Sequence, residues 1–198
     1  MKDTITGSWY HGDLHKREDN FKEQKMDRDP TQDRNAMGPG IYWTRDPNQA
    51  GGYAGEGGYV YEAEMDIKPG RLLTIKKKPT ETYLTKFIGL ASEEHRETGL
   101  SNWGENPHVA LVKAVQGYME SSNDLYDALC GIYNDFFGRS PEEFAKSMVK
   151  LGFDAYLHHL PKIDHLIVWN PDVIKVKDMK PYSKFTHLKS YKDFHEPK

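Results

Sequence analysis

An α+β fold is predicted by three observations. Period-2 alternation of apolar and polar residues lies near the start of the chain, helical apolar spacing fills its middle, and strand-like runs return near the end. Strands first, helices in the middle and strands last is not the regular alternation that winds helices around a parallel sheet.

The elements follow in chain order. TITGSWYHG (4–12) reads as a short strand ending in a turn. Residues 13–37 mix six Lys or Arg with seven Asp or Glu and read as a solvated helix or a long loop; long loops in compact domains are often functional. GIYWT (40–44) is a short strand, and the Asp-Pro of DPNQAGGYA (46–54) opens a short helix. In 59–67, Tyr59, Tyr61, Ala63, Met65 and Ile67 share one face, while Val60, Glu62, Glu64 and Asp66 share the other, as in a half-buried strand. Lys68-Pro69-Gly70 stops it, and RLLTI (71–75) is extended again.

Residues 80–151 read as helices. HVALVKAVQGYM follows Asn106-Pro107, and DLYDALCGIYNDFFG stops at Gly138. In SPEEFAKSMVKLG, Ser140 is an N-cap, Pro141 the first helical residue, Glu143 the partner of a capping box and Gly152 the stop. FDAYLHH (153–159) and HLIVW (165–169) read as strands, the second strongly buried. Asn170-Pro171 turns the chain into VIKV (173–176), and the lysine-rich 177–198 reads as a loosely packed tail.

A length of 198 residues suits one domain, spanning 1–198, with the helical 80–151 as an insert. Hydrophobic residues make up 37% of the chain, so its surface is expected to be very polar. The net charge of −3 gives no global attraction to nucleic acid or anionic membrane. The single cysteine, Cys130, excludes an internal disulfide and favours a reducing compartment; on its helix it reads as a small buried hydrophobe. Without a run of about 20 apolar residues or a signal-like start, a soluble cytoplasmic protein with no membrane partner is expected. No GxGxxG follows a strand and no GxxxxGK[ST] occurs, which argues against dinucleotide-binding and P-loop folds.

Three pieces stand out: Tyr10-His11-Gly12; Gly40-Ile41-Tyr42-Trp43-Thr44 followed by Ala50-Gly51-Gly52-Tyr53-Ala54; and His165-Leu166-Ile167-Val168-Trp169-Asn170-Pro171. In this order they resemble the ADP-ribosyltransferase superfamily, in the His-Tyr-Glu branch that includes diphtheria toxin and the poly(ADP-ribose) polymerases. The resemblance covers roughly 8–75 and 152–176 and leaves the helical middle unexplained. It implies a split antiparallel sheet core and NAD⁺ as substrate, with no metal. It also implies roles. His11, Gly12, Asp13, Tyr42, Thr44 and Tyr53 would bind NAD⁺, with the rings of Tyr42 and Tyr53 sandwiching nicotinamide and the Gly12 backbone holding its amide. His11, Tyr42, and His165 or Asp164 would be catalytic. The acceptor would be a macromolecule, protein or nucleic acid. A toxin, an effector or a phage-borne modifier fits so compact a transferase, and an inhibitor or antitoxin would then be a further partner.

The chemistry suits these residue types. The nicotinamide of NAD⁺ is a cationic ring, and a tyrosine face gives it stacking and cation–π attraction of about 1 kcal/mol. Cleavage builds oxocarbenium character on the ribose. Nicotinamide leaves as a neutral molecule and needs no proton, so what remains is to position the ribose and stabilise the cation.

The sequence departs from the family where the glutamate belongs: His165 stands there. It can hydrogen-bond a ribose hydroxyl or serve as a base near neutral pH. Asp164 should face the other way unless a bulge re-aims it. Ala50 replaces a hydroxyl found in some relatives. Glu62 and Glu64 resemble the paired glutamates of arginine-modifying relatives but come too early in the chain, and read as a solvated strand face. His158, His159 and His165 form no metal-ligand pattern, because strand neighbours point apart. Three other functions fit the sequence: a non-catalytic NAD⁺ or ADP-ribose-binding module, an NAD⁺-dependent RNA 2′-phosphotransferase, and a helical interaction protein acting through 80–151.

Overall fold

The computed structural model describes residues 5–18, 21, 38–159 and 164–183. Among these, an α+β fold is built from β1 (Trp9–Asp13), β2 (Ile41–Thr44), α1 (Pro47–Ala54), β3 (Tyr59–Met65), β4 (Leu72–Thr74), α2 (Glu81–Ile88), α3 (Glu93–Ser101), α4 (Pro107–Ser121), α5 (Leu125–Phe136), α6 (Pro141–Leu151), β5 (Ala155–His159), β6 (Asp164–Val168) and β7 (Ile174–Pro181). The strands form one mixed sheet in the order β4-β5-β6-β2-β1-β3-β7. The β4–β5 pair is parallel and the other pairs are antiparallel.

Helix starts follow their capping residues. Asp46, Thr80, Asn106, Asp124 and Ser140 each accept a hydrogen bond from a first-turn amide, and proline opens α1, α4 and α6. Gly152 ends α6 in the left-handed region, at φ 110°. The capping box expected at α6 is only half formed: Glu143 gives its amide to Ser140, while its carboxylate leaves the helix and binds the Ser92 amide and His95 Nδ1. It ties α6 to α3.

The helices cover one face of the sheet. Leu84, Phe87, Leu129, Phe136, Phe144 and Met148 pack with Tyr156, Ile167 and Trp169 of the β5–β6 region in one buried cluster. The opposite face carries a second cluster of Trp9, Trp43, Tyr61, Leu166 and Val168, with Phe21 over it. Arg71 joins β4 to the turn before β5 through two hydrogen bonds to Asp154, at 2.6 and 2.7 Å.

Two expectations are corrected. The tail does not begin at 177: β7 runs to Pro181 along β3, and Tyr182 continues the pairing through backbone bonds with Gly57 and Gly58. Residues 184–198 lie outside the described residues. The face of β3 that carries Glu62 is not solvated at that point. Glu62 is 2% exposed because β3 lies between β1 and β7 and the Ser8 hydroxyl donates to its carboxylate, whereas Glu64 remains exposed.

Helix α1 lies directly on β1 and β3. A Cβ at Gly12 would overlap the Ala50 carbonyl, and one at Gly58 would overlap the Ala54 carbonyl. Neither clash is with a flexible side chain, so neither can be relieved locally. Gly12→Ala should therefore lower the unfolding free energy by about 3 kcal/mol, as overpacking does at its upper range. Urea unfolding would measure this, with Gly52→Ala as the control, since nothing lies within 4 Å of a Cβ at Gly52.

Candidate functional site

Register assigns each site residue to a face. Tyr10 pairs with Thr44, Thr44 with His165, and His165 with His158, so these side chains form one row across four strands on the helical face. Tyr42, two residues before Thr44, shares that face and packs beside the helical core. Its hydroxyl donates to the Gly38 carbonyl. Gln49 and Tyr53 are four residues apart on α1 and share a helix side. Gln49 reaches the row: its Oε1 accepts from the Thr44 hydroxyl at 2.6 Å, and its Nε2 lies 3.5 Å from His165 Nε2. Tyr53 is 57% exposed.

This network fixes a tautomer. The Thr44 hydroxyl oxygen accepts from the Asp46 amide at 3.2 Å, so its proton is free for Gln49. With that proton given to the Gln49 oxygen, the Gln49 NH₂ faces His165. An amide nitrogen only donates, so His165 Nε2 is the bare acceptor of a neutral ring. His165 is 7% exposed. Burial pushes its pKa below the ordinary histidine value, the charge of His158 pushes the same way, and Asp164 opposes them. The ring is therefore neutral at pH 7.

His11 lies on the reverse face. Its ring meets Phe21, Trp43 and Tyr61 at centroid distances of 5.0, 5.3 and 6.3 Å. Nδ1 sits 2.7 Å from the Tyr42 carbonyl oxygen. A carbonyl only accepts, so Nδ1 carries a proton, and in the neutral ring Nε2 is a buried acceptor. Among the described residues nothing donates to it; Asp13, itself an acceptor, lies 3.8 Å away. The Trp43 indole N–H nearby is also buried without a partner among those residues. Burial would raise the Asp13 carboxyl's pKa, but the neighbouring His11 ring and the hydrogen bonds from the His15 amide and Arg17 favour the charged form more strongly and hold the group well below the usual carboxylate range. Arg17 Nε contacts Asp13 at 2.5 Å and its guanidinium lies over Phe21.

β1 and β2 are in register only at Tyr10↔Thr44. Beyond that point the β2 carbonyl at Tyr42 is taken by the His11 side chain. The β1–β2 ladder is therefore interrupted beside His11, Gly12 and Tyr42.

Asp164, named in the sequence reading as an alternative to His165, lies on the opposite sheet face. The β2–β6 and β5–β6 registers run without a bulge, so Asp164 faces away from His165. There it binds His159 Nδ1 at 2.7 Å and lies in the field of Arg45. Tyr42 and Tyr53 make no direct ring stack with each other. The sequence reading missed Gln49; its signal was its place one helical turn before Tyr53. Among the described residues no group of His, Cys, Asp and Glu could hold a metal ion, and no helix is long and apolar enough to cross a membrane. No family model, curated protein or solved structure matches this chain.

A buried histidine with a depressed pKa makes stability depend on pH with a definite sign. The unfolded chain protonates His165 near pH 6.5 and the folded one only at lower pH. Its contribution is thus fully present above about pH 6.5 and is lost as pH falls toward the folded value. Thermal unfolding between pH 7.5 and 5 should show this decline, and His165→Gln should flatten it; an equally steep decline in the variant would assign the effect to other groups.

Proposed function

We propose that this chain is a mono-ADP-ribosyltransferase. It cleaves NAD⁺ at the nicotinamide–ribose bond and passes ADP-ribose to a macromolecular acceptor, on a split sheet of the kind found in the His-Tyr-Glu branch. One observation carries the reading. On the reverse face, beside the place where the β1–β2 ladder stops, His11 holds a buried ring nitrogen, Nε2, with no hydrogen-bond partner among the described residues. A buried acceptor of this kind calls for a donor, and a ribose hydroxyl supplies one.

Each group then has a task. His11 accepts from a ribose hydroxyl and fixes the sugar, while its Nδ1–H bond to Tyr42 locks the ring. The Gly12 backbone borders the same interruption of the ladder and is suited to the carboxamide. Tyr42 is anchored through its hydroxyl, and Tyr53, exposed on α1, is free to close on the other face of nicotinamide. Their attraction for the cationic ring falls as it leaves neutral, so they bind and orient the donor. Asp13 and Arg17 form an ion pair beside His11.

A second reading is favoured by the neutral imidazole that stands where the family has a carboxylate: a module that binds NAD⁺ or ADP-ribose without turnover. The two separate in one experiment. Incubation with NAD⁺ should release nicotinamide, measured by chromatography. His11→Ala and Tyr42→Ala should each reduce the rate by roughly 10²-fold through lost positioning. Tyr53→Ala should raise the KM for NAD⁺ about fivefold, equivalent to about 1 kcal/mol of cation–π attraction. Calorimetric binding of NAD⁺ with no release would establish the binding module; neither binding nor release would refute both.

A further inference from the structure

The acceptor's chemistry is the question the transferase reading leaves open, and the His165 network bears on it. His165, Gln49 and Thr44 share the sheet face of Tyr42, and α1 brings Tyr53 to the same side. At this place the chain holds a neutral imidazole whose acceptor nitrogen is fixed by Thr44 and Gln49 and whose one fixed contact there, at 3.5 Å, is long enough to be displaced. Such a group does one thing well: it takes a proton from a neutral nucleophile.

Resting on the transferase reading, we propose that the acceptor is the hydroxyl of a protein side chain (serine, threonine or tyrosine) and that His165 Nε2 is the base that deprotonates it. In the step, the C1′–N bond breaks and its electron pair goes to the nicotinamide nitrogen, which leaves neutral. The acceptor oxygen forms a bond to C1′, its proton moves to His165 Nε2, and the imidazolium returns it to solvent. Gln49 is a positioning residue: its amide holds the tautomer that leaves Nε2 bare.

Other acceptors match this site less well. A carboxylate nucleophile is already ionised at neutral pH and gives the base no work. A guanidinium stays protonated, and a neutral imidazole is far too weak a base to deprotonate it. The carboxylates around it are engaged: Asp164 faces away and binds His159, Asp46 caps α1, and Glu62 is buried and accepts from Ser8. Among the described residues, the other groups facing His165 are the uncharged Thr44 of β2 and Gln49 of α1, with His158 the titratable group of β5. A polypeptide fits better than RNA. The exposed large side chains at this end are Tyr53 and Leu14, each 57% exposed, beside a chain of net charge −3, whereas RNA binding draws on phosphate contacts from cations.

The test is full-length chain with NAD⁺ and either a soluble protein extract or total RNA, with modified residues localised by mass spectrometry. Modification is expected on Ser, Thr or Tyr, with a transfer rate that rises through a midpoint below pH 6.5 and then levels. His165→Gln keeps a polar partner for Gln49; it should lower transfer at least about 10²-fold, abolish the pH dependence and leave NAD⁺ affinity by calorimetry within about threefold. Modification of Asp, Glu, Arg, Cys or RNA, transfer to water alone, a pH-independent wild-type rate, or an unimpaired His165→Gln chain would each overturn the proposal while nicotinamide release still upheld the transferase reading. So would a His165→Gln chain that no longer binds NAD⁺, since a base takes no part in donor binding. Absence of nicotinamide release from the wild type would overturn both.

Discussion

Helix α1 lies so close to β1 that only glycine fits beneath it, and the candidate site depends on that approach. Gly12 and Gly58 let the helix backbone rest on the strands, where Ala50 and Ala54 complete a buried patch with Tyr10 and Val60. The glycines need no unusual dihedral at these two positions; what they supply is space. With α1 seated, one helical side carries Gln49 and Tyr53 toward the row of Thr44, His165 and His158. A helix raised by the width of one methyl group would lose the Gln49 contacts first, since the His165 contact is already 3.5 Å long.

The second constraint is the wedge made by His11. Its Nδ1 takes a β2 carbonyl that a continuous ladder would have offered to β1. The sheet keeps its order across β1 and β2, yet their ladder stops beyond Tyr10↔Thr44. The same hydrogen bond sets the tautomer that leaves Nε2 as an acceptor. One interaction thus both interrupts the β1–β2 ladder and orients the His11 ring. The aromatic surround of Phe21, Trp43 and Tyr61 keeps that nitrogen from bulk water, which strengthens any hydrogen bond a ligand makes to it.

Much of the fold was legible because its signals are local. The α1 start at Asp46-Pro47, the helical run 80–151 and the α6 boundaries follow from caps, prolines and apolar spacing. What was not legible depends on tertiary neighbours. Glu62 looked solvated because alternation cannot reveal that Ser8 covers its face; the strand at 177–181 was hidden by lysines, which suit an edge strand whose partner is β3. Of the candidate residues, Tyr42, Thr44 and His165 were picked out by order along the chain, and register brings them to one face. Gln49 escaped because its role exists only once α1 is docked. The placement of His11 on the reverse face likewise needs the register, which no single-strand pattern carries.

Under the transferase reading, a histidine rather than a carboxylate at position 165 has an energetic consequence. Two opposite charges 4 Å apart attract by roughly 4 kcal/mol at an effective dielectric of about 20, so a carboxylate beside the developing oxocarbenium ion is worth orders of magnitude in rate. A neutral imidazole withholds that term. Asp13 lies 3.8 Å from His11, but Arg17 is paired with it at 2.5 Å and cancels most of its field at a distance. Donor activation would then rest on positioning and on the cationic leaving group itself, giving slow cleavage of NAD⁺ in the absence of an acceptor. A base that acts on the incoming hydroxyl changes that balance, because it adds negative charge at C1′ only when an acceptor is in place. In such an arrangement the acceptor completes the electrostatics of the site, and wasteful hydrolysis of NAD⁺ is kept low because position 165 holds a histidine rather than a carboxylate.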